Sequence, residues 1–274
     1  MLKRWRRSLT KSSLKALTMI MPSGIIPGVP INVFGKYLSG KTLLTLQEAT
    51  NICSQEGGNI LLLDVDGNGN IYAQEWKPIF QERFGFKGEI YVLPSFNTQR
   101  FDERQKQPYF DLNIFTYFGV KSQVTISQHG KANFTAYQPV PSLVNDYIVK
   151  KGVKVIIIDS FSQIFKDVFV GTESFGERAR AEDFLFGEIK TVIYNHPNVY
   201  MFINHHQSAN PITGQVSLAG GSSVLQNSKI AIYINKFGEK SNTGELYIYR
   251  YPTLPPWSRK APIVYTDIGL VDPQ

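Results

Sequence analysis

Residues Val33–Gln47 read VFGKYLSGKTLLTLQ, and the fold turns on how this stretch is read. Gly35, Gly40, Lys41 and Thr42 fill every fixed position of G-x-x-x-x-G-K-[ST]. The motif has a mechanism only where a strand leads into it and a helix leaves it. Both are present: Ile31–Phe34 (INVF) is an apolar strand, and Leu43–Ser54 has a helical pattern. Glycines let the main chain curl so that its N–H groups point at one phosphate, and the helix N-terminus adds a favourable dipole. The expected nucleotide cradle is Gly35, Lys36, Tyr37, Leu38, Ser39, Gly40, Lys41, Thr42 and Leu43. Lys41 would reach the terminal phosphates of ATP, and the Thr42 hydroxyl would hold Mg2+. The bland alternative is a glycine-rich βα turn that binds nothing.

Downstream, βα alternation continues. Asn59–Asp66 (NILLLDVD) is apolar along its length, as in a strand buried on both faces of a parallel sheet. A helix around Gln74–Phe84 and a strand Glu89–Leu93 follow. After an interruption come a helix over Ser142–Lys151, the strand Val153–Asp159 (VKVIIID), a helix around Arg178–Tyr194 and the strand Asn198–Asn204. Asp159 ends a run of β-branched residues at the strand edge where α/β ligands sit, so it is the candidate second Mg2+ anchor. The competing reading makes Asp159 or Ser160 a helix cap. Asp64 and Asp66 end the second strand; one could orient an attacking water, although Asp66-Gly67-Asn68-Gly69 also suits a tight turn.

The interruption, residues 96–140, has period-2 stretches around His129-Gly130 and predicts an inserted β-hairpin. The tail (KIAIYINK, ELYIYRY, PIVYTD) reads as a meander of strands. The expected fold is therefore α/β: a mainly parallel central sheet with flanking helices, extended by C-terminal antiparallel strands. Residues 1–21 form a separate basic arm, with Lys3, Arg4, Arg6, Arg7, Lys11 and Lys15 and no acid before Glu48, and 22–274 form the main domain. The chain has 274 residues and a formal charge of +7, which favours a polyanionic partner. Its single cysteine, Cys53, excludes an internal disulfide framework and suits an intracellular compartment, cytoplasmic or nucleoid-associated. No apolar run is long enough for a membrane span.

These motifs together resemble those of RecA/RadA-type ATPases of the RecA superfamily over most of residues 22–272. IIPGVPINVFGKYLSGKT is similar to the family's lead into its phosphate loop, LLLDVDG to its Asp-x-Glu-Gly segment, and VKVIIIDS to its Walker B strand. VYMFINHHQ resembles the strand that senses the γ-phosphate, and AGGSSVLQNSKIAIYINK the segment that closes a DNA-binding loop. INHHQ and GGSSVL also resemble small hexameric replicative helicases of the RepA type. The resemblance implies a RecA-like core with Lys41, Asp66 and His205 in catalysis. Asp66 stands where Glu is usual and His205 where Gln is usual; the insert is extra.

It also implies two segments that project toward DNA. Phe165–Arg180 contributes Lys166, Arg178 and Arg180; His206–Ser223 contributes His206, Gln207, Gly220 and Gly221. Flexible loops with a few cations suit a single strand held by its phosphates. A cation from Arg250, Arg259 or Lys260 would act across to a neighbouring protomer. The expected partners are single-stranded DNA, further copies of the chain in a ring or filament, and recombination or replication accessory proteins. Three functions fit: a DNA-dependent ATPase of recombinase or recombination-mediator type, a hexameric helicase, or an ATP-binding regulator that does not hydrolyse. Two adjacent histidines without further ligand types nearby argue against a metal site.

Overall fold

The structure, a computed structural model, describes residues 10–274 apart from 105, 128, 210–215, 220–223 and 225. Helix α1 (Lys15–Ile20) leads through a glycine- and proline-rich turn into β1 (Pro30–Gly35), and α2 (Lys41–Glu56) leaves the phosphate-loop motif. β2 (Asn59–Asp64), α3 (Gly69–Phe84) and β3 (Ile90–Pro94) continue the alternation. The insert holds β4 (Thr98–Asp102), β5 (Gln107–Asp111), α4 (Asn113–Tyr117), β6 (Val120–Ile126) and β7 (Ala132–Pro139). Then come α5 (Leu143–Lys151), β8 (Val153–Asp159), α6 (Gln163–Lys166), α7 (Phe175–Asn195), β9 (Tyr200–Ala209) and β10 (Val216–Leu218). The tail is β11 (Ile230–Lys236), β12 (Thr243–Arg250), β13 (Lys260–Thr266) and β14 (Gly269–Val271).

The main sheet runs β14-β13-β12-β11-β1-β9-β8-β2-β3, with β10 paired to β9. From β11 to β3 every neighbour is parallel. β12, β13 and β14 add antiparallel strands at one edge. Parallel strands must be covered on both faces, and strand alternation supplies both covers here. Leu61, Leu63, Ile156, Ile158, Met201 and Ile203 enter one core, with α5, α7 and the insert. Ile60, Leu62, Val155, Ile157, Tyr200 and Phe202 enter the other, with α1, α2 and α3. No helix among the described residues is long and apolar enough to cross a membrane.

Two sequence expectations change. Residues 10–21 are packed against the main body rather than forming part of a free arm, and residues 1–9 lie outside the described residues. Leu14, Leu17, Ile20 and Met21 are fully buried against the sheet, because their helical spacing makes one apolar stripe. Polar contacts fix the stripe: Asp272 accepts from the Lys15 and Ala16 amides at 2.9 and 2.7 Å, and Gln47 Nε2 donates to Ser13 Oγ at 2.8 Å. The insert exceeds a hairpin. β6 and β7 are the expected hairpin, but β4 and β5 join them in a four-stranded antiparallel sheet ordered β4-β5-β6-β7. Its inner face, Val124, Ala132 and Phe134, completes the first core against Phe115 of α4 and Phe184 of α7.

Glu48 on α2 is fully buried and accepts hydrogen bonds from the Ser13 amide and hydroxyl. Burial pushes its carboxyl up from 4.5 to about 7, against the pull of the Ser13 bonds. The folded chain therefore holds a proton that the unfolded chain releases between those values, and stability falls as pH rises through that window. Glu48→Gln should abolish this contribution. Chemical denaturation at about pH 4 and about pH 8 should show the variant gaining on the wild type by up to about 3 kcal/mol at the higher pH.

Candidate nucleotide-binding site

The phosphate-loop motif closes tightly between β1 and α2. Gly40 caps α2 at φ 87° and Leu38 sits at φ 58°, so the loop uses the left-handed region twice. A Cβ on Gly35 would lie 2.4 Å from the Ile234 carbonyl and 2.6 Å from Ser39 Oγ, so only glycine fits there. Lys41 is buried, and its Nζ donates to the carbonyls of Lys36 at 2.8 Å and Gly35 at 3.3 Å. Burial pulls its pKa down, while Asp159 and Asp66 hold it up. The C-terminal meander supports the loop from below: Tyr265 donates its hydroxyl to the Ser39 carbonyl at 2.7 Å and lies against Gly40. Nothing in the motif itself pointed to Tyr265.

Asp159, at the end of β8, meets the motif: Thr42 Oγ1 donates to its Oδ2 at 2.5 Å. Its carboxyl is pushed up to about 6, chiefly by burial and also by Asp66, while hydrogen bonds from Thr42 and Asn204 and the Lys41 charge pull it down. The peptide bond between Asp159 and Ser160 is cis. The two acids after β2 divide their work. Asp64 is buried and accepts from the amides of Gly67 and Gly69, both at 2.8 Å, so it shapes the turn into α3. Asp66 is exposed, and the Ser160 hydroxyl donates to its Oδ1 at 3.1 Å. Turn chemistry thus belongs to Asp64 and leaves Asp66 available to a ligand.

The β9 register reassigns the histidines. β1 and β9 pair Val33 with Asn204, Phe34 with His205 and Gly35 with His206. Asn204 lies on the α2 side, fully buried, with its Nδ2 donating to Thr45 Oγ1 at 3.1 Å. His205 faces the opposite core, fully buried against Phe161, and its Nε2 lies 2.8 Å from Asn32 Oδ1. Asn32 donates its own amide to the Ile230 carbonyl, so that oxygen accepts and Nε2 carries the proton. Burial pushes the His205 pKa down to about 3, with His206 and Lys41 adding to the effect. His206 is the histidine that reaches the cradle. Period-2 alternation in VYMFINHH places His205 and His206 on opposite faces of the sheet.

His206 lines two adjoining clefts. One, of about 190 Å3, is bounded by the phosphate loop, Asp159, Asp66, Tyr72 and Trp76. The other, of about 520 Å3, runs from Tyr37 and Asp66 past Phe96 and Phe110 to Lys166. Lys166 is therefore brought to the site. Arg178 and Arg180 are not in its lining: they lie in α7 rather than a loop, paired with the buried Glu182 at 2.8 Å and with Glu177 at 3.5 Å. Glu177 also accepts from the Phe134 amide at 2.9 Å, so the start of α7 anchors the insert. Gln207 accepts from the Tyr233 hydroxyl at 3.2 Å, and Gly220 and Gly221 lie outside the described residues. Lys260 pairs with Glu245 at 2.9 Å, and Arg259 donates to the Met19 carbonyl at 3.2 Å.

The residues fit a triphosphate with its metal. The cradle would not admit a side chain on Gly35, the buried Ser39 hydroxyl has no partner among the described residues, and the adjoining groups include the Lys41 amine, the Thr42 hydroxyl and the carboxylates of Asp66 and Asp159. No family model matches the sequence, and no curated protein matches it by sequence. By structure the chain is similar to the RadB recombinase, with a TM-score of 0.61 at 13% identity, over 97% of this chain and 100% of that one. That likeness shows a RecA-like fold.

The division between the two acids is measurable. Asp64→Ala should lower unfolding free energy by about 2 kcal/mol, since two backbone amides lose a charged acceptor. Asp66→Ala should stay within about 0.5 kcal/mol of wild type in the same urea titration.

Proposed function

We propose that the chain is a Mg2+-dependent P-loop ATPase that acts on single-stranded DNA, of recombinase or recombination-mediator type, and works as an assembly of several copies. The observation that supports this most directly is the 2.5 Å hydrogen bond between Thr42 and Asp159, residues far apart in sequence. It joins the hydroxyl of the G-x-x-x-x-G-K-[ST] motif to a strand-end carboxylate, the pair that would hold Mg2+. The metal would neutralise charge on the phosphates. Lys41 would bind the terminal phosphates in place of the two carbonyls it now contacts. Asp66, near Lys41 and steadied by Ser160, would orient the attacking water. His206 would report the terminal phosphate to the segment after β9, and Lys166, on the same cleft, would contact the strand. The structural likeness to the RadB recombinase supports the recombinase side of this reading.

The test is the ATP hydrolysis rate with and without single-stranded DNA. Lys41→Ala should cost about a hundredfold or more in both conditions. His206→Ala should remove most of the DNA-dependent increase with little change in melting temperature. His205→Ala should do the reverse, lowering the melting temperature because it leaves a cavity in the core. DNA-stimulated hydrolysis that survives Lys41→Ala would overturn the proposal. Strand displacement would redirect it to the helicase, and ATP binding without turnover, unchanged by Asp66→Glu, to the regulator.

A further inference from the structure

The inserted sheet has an inner face in the core and an outer face that no described element covers. Register defines the outer face. Arg100 pairs with Tyr109, Tyr109 with Thr125 and Thr125 with Asn133, one row across all four strands. Beside it Asp111 pairs with Gln123 and Gln123 with Thr135. The intervening row, Phe110, Val124 and Phe134, points inward, so the outer face is aromatic and polar but not greasy. Two grooves, of about 500 and 370 Å3, cross this face and share Tyr109 and Gln123. The second is also lined by Lys121, Tyr137 and Ser122.

Two observations indicate what the face accepts. Tyr137 is 52% exposed on a sheet surface, where a lone surface tyrosine gains little unless something stacks on it. Residues 98–139 hold five Lys and Arg against three acids, and the Arg100 guanidinium remains largely exposed despite its 2.6 Å pair with Asp111. Tyrosines with amides, hydroxyls and a cationic excess suit stacked bases and a tracking phosphate backbone. A duplex hides its base faces, whereas an unpaired strand presents them for stacking.

We propose that the outer face of the inserted β4–β7 sheet is a second binding surface for single-stranded nucleic acid, separate from the segments after β8 and β9. Bases stack on Tyr109 and Tyr137, and Arg100 and Lys121 contact the backbone. The surface is distinct from the 520 Å3 cleft, which Phe110 lines from the other face of the same strand.

The experiment uses the full chain and a fluorescent oligothymidylate, without ATP, over a salt series. Tyr137→Ala combined with Lys121→Glu should weaken binding tenfold or more, with DNA-free ATP hydrolysis and melting temperature unchanged. Tyr137→Phe, which keeps the ring, should bind as wild type does. Photocrosslinking with iodouridine should mark peptides within 98–139. Unchanged affinity in the double variant, or crosslinks confined to other segments, would overturn the proposal. So would a fall in molar mass by light scattering at unchanged affinity, which would make the face a contact between copies. Lys41→Ala separates the two readings: it should retain these crosslinks whether or not it abolishes hydrolysis.

Discussion

The contact between Thr42 and Asp159 depends on nearly everything else in the structure. One partner opens a helix and the other ends a strand, with β9 lying between β8 and β1. A separation of two strand spacings, about 10 Å, is bridged because α2 begins over the carboxyl edge of the sheet. That requires the parallel order of β1, β9, β8 and β2, which in turn requires apolar cover on both faces. The two cores supply it. Burial there also raises the cost of charge on Asp159 and Lys41, which leaves both groups disposed toward ligands of opposite charge.

The meander at the far edge is more than an extension of the sheet. Tyr265 holds the underside of the phosphate loop, and Lys236 lies 5.1 Å over its ring. The nucleotide cradle is thus braced by a residue 226 positions beyond Ser39. The insert works comparably on the other side: Phe110 lines the larger cleft while its neighbours face solvent. Glu177 and Ser174 hold β7 through its amides, so the insert is fixed to α7 rather than hung on a flexible stalk.

Where sequence reasoning fell short, local pattern and tertiary context disagreed in identifiable ways. Basic residues near the N-terminus suggested an arm that reaches for nucleic acid, but within the described part Leu14, Leu17 and Met21 share one stripe and are buried against α2 and the sheet. Arg178 and Arg180 suggested a DNA loop; they lie at the start of α7, where Arg178 pairs with the buried Glu182 and Arg180 stays largely exposed. The resemblance points to His205, whereas the fold turns His205 into the core and brings His206 to the cleft.

The order of elements, the phosphate cradle and the strand-end acids were legible in the sequence alone. They follow from local rules: apolar periodicity, glycine geometry and the needs of a helix N-terminus. Which acid shapes the turn, which histidine reaches the cradle and what lies beneath the loop were decided only by the fold. Those choices depend on strand register and on packing between residues remote in the chain, and neither is encoded within a single segment.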